Sequence, residues 1–254
     1  MRRLDDADVP FLIGGAYAMA LYTRIKRETK DFDIYVRAKD VDLILNLFRE
    51  TGHRVKRTHP HWLAKIFCGE HLMDVIYRAG NGLCDVDDSW LERAQRREAL
   101  GLPVRIAAPE ELIWMKAYIM ERERYDGADV AHLLLSCADR IDWKHLLARF
   151  GEDWRVLLSH LVLFGFIYPT ERHRVPPAFV EKLCDWLRAE QILPETKREC
   201  RGTLLSRAQY LFDVEKHGFR DARLDARCQI SAKDLGSWTA DIPEESAARI
   251  PRTN

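Results

Sequence analysis

Two stretches decide the fold: Phe11-Leu12-Ile13-Gly14-Gly15 and, one helix length later, Thr29-Lys30-Asp31-Phe32-Asp33-Ile34-Tyr35-Val36. The first is an apolar run ended by two glycines, which predicts a buried strand and a tight turn. Residues 16–22 are rich in Ala, Leu and Met, so a helix is expected directly after the turn. The second stretch is β-branched and aromatic and predicts the next strand.

Asp31 and Asp33 lie two positions apart on this second predicted strand. Side chains at such positions point to the same face, so the two carboxylates are expected side by side. Adjacent negative charges are costly unless a cation lies between them, and Mg²⁺ suits a few carboxylates completed by substrate phosphate oxygens. The alternative is a pair of acids at a solvated strand end, and the pair alone favours that alternative.

The double glycine and a third acid favour the metal-binding interpretation over the solvated strand end. A turn built from Gly14 and Gly15 lets the backbone approach a ligand closely, and the following helix start points its N–H groups toward a phosphate. Asp74 lies in a strand predicted at 72–77, where an unpaired carboxylate among apolar neighbours is expensive to bury. It would lie beside the metal and polarise a hydroxyl; the alternative is a salt bridge to a nearby arginine.

Together these segments resemble the nucleotidyltransferase superfamily, with its hydrophobic-Gly-Gly turn and its Asp-x-Asp on the next strand. They are similar to aminoglycoside and lincosamide nucleotidyltransferases and to those of abortive-infection and toxin–antitoxin systems. The resemblance implies an α+β fold, in which a small mixed β-sheet with flanking helices is followed by a helical domain. It also implies a Mg²⁺-dependent enzyme that moves a nucleoside monophosphate from a nucleoside triphosphate to an acceptor hydroxyl and releases pyrophosphate. The expected nucleoside triphosphate is ATP.

The same resemblance assigns roles to individual residues. Asp31, Asp33 and Asp74 would be the catalytic carboxylates and would hold one or two Mg²⁺ ions. Gly14 and Gly15 would cradle the phosphates of the nucleotide.

Lys30 and Lys116 are further candidates for nucleotide binding. Lys116, followed by Asp126 and Asp129, resembles the helical lysine and the acidic Lys-Asp-x-x-Asp-like stretch of abortive-infection-type members. Tyr125 departs from that pattern, since a basic residue often stands at this position. For Lys116 the alternative is a lysine that extends from an amphipathic helix into solvent.

The periodicity changes near residue 108, where Pro109 opens a helical half. The expected organisation is a nucleotidyltransferase core at 1–108, a helical domain at 109–227 and a polar, flexible tail at 228–254. Within the core, a helix is expected from about residue 88 through Ala99, before a short strand at 104–107.

The chain has 254 residues, and its 40 basic residues balance 40 acidic ones, so no global field favours nucleic acid or membrane. The acceptor stays open between a small molecule, RNA or a tRNA end, and a protein hydroxyl. The six scattered cysteines, the acidic start and the lack of a long apolar run predict a cytoplasmic protein without membrane or disulfide-linked partners. Two alternatives remain: a catalytically inactive nucleotide-binding or toxin–antitoxin-type interaction module, and a metal-dependent phosphohydrolase.

Overall fold

The computed structural model describes residues 1–99, 101–191 and 197–240. The chain divides into two compact units, Met1–Leu112 and Ile113–Asn254. The first combines strands and helices, whereas the second is mainly helical. In the described ranges, no helix has the length and apolar character needed to cross a bilayer.

The first unit is built on a seven-stranded sheet with the order β3-β4-β5-β2-β1-β7-β6. Two pairs are parallel, β2 with β5 and β1 with β7, and the other pairs are antiparallel. A mixed sheet with separate helices is an α+β architecture, so the predicted fold class is confirmed. The strands are β1 (Leu12–Ile13), β2 (Asp31–Tyr35), β3 (Arg54–His59), β4 (Leu63–Cys68), β5 (His71–Ile76), β6 (Gln95–Ala99) and β7 (Leu102–Ile106).

One helix packs on this sheet through a clear apolar stripe. The helices of this part of the chain are α1 (Arg2–Asp6), α2 (Gly15–Thr23), α3 (Val41–Arg49), α4 (Asp88–Glu92) and α5 (Pro109–Ala117), of which α5 extends past Leu112 into the second unit. Helix α3 buries Val41, Ile44, Leu45 and Phe48, which is the spacing of one helical face, and it contacts β3 and β4.

The prediction of a helix through Ala99 is wrong. Helix α4 ends at Glu92, and Gln95–Ala99 is the edge strand β6, paired antiparallel with β7. Its residues have good helix propensity, but pairing with β7 through a turn at Gly101, where φ is +71°, outweighs that local preference.

The second unit consists of helices joined by loops and two short strands. Its elements are α6 (Gly127–Cys137), α7 (Trp143–Phe150), α8 (Trp154–Ile167), α9 (Pro177–Glu190), β8 (Glu199–Cys200), α10 (Leu211–Glu215), β9 (Arg220–Asp221) and α11 (Ala232–Ala240). Helix α11 falls in the segment expected to be a flexible tail, yet it buries Leu235 and Trp238. These two apolar anchors correct the tail prediction for residues 232–240, and residues 241–254 lie outside the described residues.

A buried ion pair supports the second unit. Arg223 is 1% exposed, and its guanidinium donates to both carboxylate oxygens of Asp221, with Nη2 at 2.6 Å from Oδ2. Burial alone would raise the pKa of Asp221, but the hydrogen bonds and charge of Arg223 outweigh it, so the pKa lies below its ordinary value. The ionised carboxylate therefore stabilises the folded chain.

We expect acid to weaken the fold through this pair. A carboxylate with a lowered folded-state pKa contributes fully above its ordinary pKa and loses that contribution as pH falls through the lower value. The free energy of unfolding, measured with urea from about pH 5 down to about pH 2, should fall less steeply in Asp221→Asn than in the wild type. Asp185→Asn is the control, because Asp185 pairs with Arg188 at the exposed surface. Equal slopes in Asp221→Asn and wild type would contradict the assignment.

Candidate active site

A row of four charged residues crosses the sheet from its edge to its centre. Lys56 of β3 pairs with Lys65 of β4, Lys65 with Asp74 of β5, and Asp74 with Asp33 of β2. Directly paired residues on neighbouring strands point to the same face, so the four side chains share it. Asp31 lies two positions before Asp33 and shares this face as well. The structure therefore brings Asp31, Asp33 and Asp74 to one face of the sheet.

The opposite face explains why these strands alternate between charged and apolar residues. Ile34, Ile66 and Val75 each directly follow a charged residue of the row, and all three are fully buried. Their burial fixes the register of β2, β4 and β5, because a slip of one residue would bury the charged set instead.

The glycine turn lies directly against the carboxylate of Asp33. The N–H of Gly14 donates to the carbonyl of Asp33 at 3.0 Å. At Gly15 φ is +51°, and an added Cβ would come within 1.6 Å of Asp33 Oδ2. Helix α2 starts at Gly15, so its first N–H groups, which lack intrahelical partners, lie beside this carboxylate. Only glycine combines this backbone conformation with so close an approach.

Asp74 is buried and held by a lysine that the sequence analysis did not single out. Lys65 Nζ donates to Oδ1 and Oδ2 of Asp74 at 2.8 and 3.0 Å. Burial raises the pKa of Asp74, Lys65 opposes this rise and the negative charge of Asp31 adds to it, with a net upward shift. The salt-bridge alternative expected an arginine as partner. A lone lysine in the apolar strand Leu63–Cys68 is the signal that identifies Lys65.

The donor set fits a metal ion that takes only part of its ligands from protein. In the part of the chain that the structure describes, no group of three or more Asp, Glu, His or Cys side chains is arranged to hold a metal ion. Asp31 and Asp33 are both half-buried on one face. Mg²⁺ is commonly bound by one or two carboxylates, with water and substrate phosphates completing an octahedron. Asp31 and Asp33 meet that requirement.

A basic cleft of about 790 Å³ lies between α2 and the loop that precedes Asp31. Tyr17 forms one wall, and its ring packs edge-on against Phe32 at 5.2 Å between centroids. The predicted nucleotide-binding residue Lys30 is exposed and lines the cleft. Its lining residues are Ala16, Tyr17, Ala20, Lys26, Arg27, Glu28, Thr29 and Lys30. Three cations against one carboxylate make this cleft attractive to an anion.

Lys116 belongs to the second unit and forms a buried cluster there. Its Nζ lies 2.9 Å from Asp126 Oδ2 and 2.7 Å from Asp129 Oδ2. Arg124, the residue before Tyr125, also donates two hydrogen bonds to Asp126. Burial would raise the pKa of Asp126, but Arg124 and Lys116 outweigh it and the pKa lies below its ordinary value. The ammonium of Lys116 is therefore engaged by two carboxylates.

Comparison with known proteins gives one family match. Residues 1–146 match the family model described as "Nucleotidyl transferase of unknown function (DUF2204)". No curated protein matches the chain significantly.

Several solved structures are similar at low identity. The antibiotic-resistance factor ANT(2'')-Ia is 18% identical, with 63% of this chain and 91% of that chain covered and a TM-score of 0.41. The lincosamide antibiotic adenylyltransferase LnuA, solved with lincomycin bound, is 14% identical, with coverages of 51% and 89% and a TM-score of 0.37. The protein JHP933 from Helicobacter pylori is 16% identical, with coverages of 75% and 92% and a TM-score of 0.37.

Proposed function

This chain belongs to a family of nucleotidyl transferases, and from that premise we propose that it moves a nucleoside monophosphate from a nucleoside triphosphate to an acceptor hydroxyl. ATP is the first nucleotide to test, and pyrophosphate is the expected second product. The observation that carries the proposal is the contact between the glycine turn and the Asp33 carboxylate, with Asp74 in register on the same face. The proposed phosphate-binding helix start and the two proposed metal-binding carboxylates therefore lie close together.

The proposed residues divide the work of holding the nucleotide. Asp31 and Asp33 would hold Mg²⁺, which would supply positive charge against the negative charge that develops on the phosphates. The N–H groups at the start of α2 face the phosphates. The basic loop that includes Lys30 attracts the triphosphate into the cleft. Positioning and electrostatics of this kind account for most catalysis of phosphoryl transfer.

The chemical step uses Asp74. The acceptor oxygen forms a bond to the α-phosphorus while the bond from the α-phosphorus to the bridging oxygen breaks. Pyrophosphate leaves, and the proton of the hydroxyl passes to Asp74. Its raised pKa suits this role, because a carboxylate with a higher pKa accepts a proton more readily.

Two observations support further parts of the proposal. The first concerns location: we propose that the protein is cytoplasmic, and its six cysteines are all free thiols, as a reducing cytoplasm favours. In addition, Asp74 shares the face of Asp31 and Asp33, as an active enzyme requires and an interaction module does not.

We expect calorimetric titration of each nucleoside triphosphate to show Mg²⁺-dependent binding that is lost in Asp31→Ala/Asp33→Ala. The double variant removes both proposed ion ligands, and with them the bridge to the phosphates. The control is Asp42→Ala/Glu50→Ala, which removes the same two charges from exposed positions of the same unit.

The outcome also separates the candidate functions. If no nucleoside triphosphate binds the wild type with or without Mg²⁺, the proposal fails and the interaction module is favoured. Release of inorganic phosphate instead of pyrophosphate, once an acceptor is supplied, would favour the phosphohydrolase.

A further inference from the structure

We propose that Lys65 is a positioning residue that takes the place of a second metal ion at Asp74, so that the site holds a single divalent ion on Asp31 and Asp33. The inference rests on the proposed function, because it concerns the same carboxylates. It assigns to Asp74 the task of orienting and deprotonating the acceptor hydroxyl, rather than that of a metal ligand.

The geometry of the pair carries the argument. Lys65 Nζ lies 2.8 Å from one oxygen of the Asp74 carboxylate and 3.0 Å from the other. A divalent ion bound to Asp74 would lie within a few ångströms of this ammonium. Two like charges at such a distance repel strongly in a partly buried site, so the ion and the ammonium compete for the carboxylate.

The sheet builds this pair, because Lys65 and Asp74 are direct partners in the β4–β5 ladder. The side chain of Lys65 is 23% exposed and that of Asp74 is 13% exposed. Shielding from water strengthens the attraction between the two charges, and removal of one partner leaves the other charge uncompensated. The ammonium is therefore a fixed part of the site.

Lys56 is a lysine of the same row that lies one strand farther from Asp74. It pairs with Lys65 in the β3–β4 ladder, points to the same face and carries the same charge, but it is exposed on the outer strand. Replacing Lys56 removes one positive charge from the row and leaves the carboxylates untouched. It is therefore the matched control for Lys65.

The inference predicts how many ions bind. Mn²⁺ replaces Mg²⁺ as the probe, and bound Mn²⁺ is counted by electron paramagnetic resonance in the presence of a non-hydrolysable ATP analogue. Wild type, Lys65→Arg and Lys56→Met should each bind one ion. Lys65→Met should bind two, because Asp74 is then free to coordinate. Lys65→Met/Asp74→Asn should return to one, and this double variant also removes the unpaired buried charge that threatens folding.

Each outcome decides the inference. Two ions in the wild type, or one ion in a Lys65→Met protein with a native circular dichroism spectrum, would overturn it. A second ion that persists in Lys65→Met/Asp74→Asn would also overturn it, since that ion would not be held by Asp74. If Lys65→Met does not fold, a second ion in Lys65→Gln gives the same support and its absence the same contradiction. If wild type binds no Mn²⁺ at all, the proposed function itself fails, and the inference fails with it.

Discussion

Gly15→Ala is expected to weaken Mg²⁺-dependent nucleotide binding by about 10- to 100-fold, the scale of losing one hydrogen bond to a charged group, which is worth about 1.5–3 kcal/mol. The added methyl group would lie 1.6 Å from Asp33 Oδ2. The carboxylate, the helix start or both must move to relieve that overlap. Either movement separates the proposed ion ligand from the proposed phosphate site.

The left-handed backbone conformation adds a smaller cost in folding free energy, and a control variant measures that cost separately. At Gly15 φ is +51°, and an L-residue in this left-handed region costs roughly 1–2 kcal/mol. Gly69 joins β4 to β5 with φ of +63°, and an added Cβ there meets nothing within 4 Å. Gly69→Ala therefore carries a similar backbone cost without any contact with the site.

The comparison between the two variants is the test. Both proteins should fold, and Gly15→Ala should lose more stability in urea unfolding, because only this variant adds the overlap with Asp33 to the backbone cost. Only Gly15→Ala should lose nucleotide affinity in the calorimetric titration. Equal nucleotide affinities in the two variants would show that the contact between the glycine turn and Asp33 plays no part in binding.

The parts of the site that could be predicted from sequence are those that local patterns specify. Asp31 and Asp33 sit two apart in a strand, and period-two geometry alone places them on one face. Gly14 and Gly15 end an apolar run before a helix, which locates the turn. Asp74 stands out because a carboxylate in an apolar strand needs a partner. Each of these inferences uses neighbours in the chain.

Most of the parts that could not be predicted depend on how one strand pairs with the next. The partnership of Lys65 with Asp74 follows from the register of the β4–β5 hairpin, which the sequence of either strand alone does not specify. Strand β6 was expected as helix because its own residues favour helix, whereas its partner β7 decides the outcome. Helix α11 was expected as tail because its two buried anchors lie in a polar stretch.

Lys116→Met is expected to lower the free energy of unfolding by about 3–5 kcal/mol, the usual cost of removing one member of a buried ion pair. Lys116 is 8% exposed and contacts two buried carboxylates, Asp126 and Asp129. Without the ammonium, Asp129 is left close to a second negative charge. Arg124 still pairs with Asp126, so part of the cluster is compensated.

Two further variants determine what Lys116 does. Lys144→Met is the control, since Lys144 is exposed on α7, and it should change stability by no more than about 0.5 kcal/mol. Lys116→Met/Asp129→Asn should recover part of the loss, because it also removes one of the two carboxylates that contact the ammonium. If Lys116→Met instead keeps wild-type stability and loses nucleotide affinity, its ammonium serves the nucleotide, as the family resemblance implies. If Lys116→Met lowers stability and the added Asp129→Asn recovers part of it, the ion pairs of Lys116 with Asp126 and Asp129 stabilise the second unit.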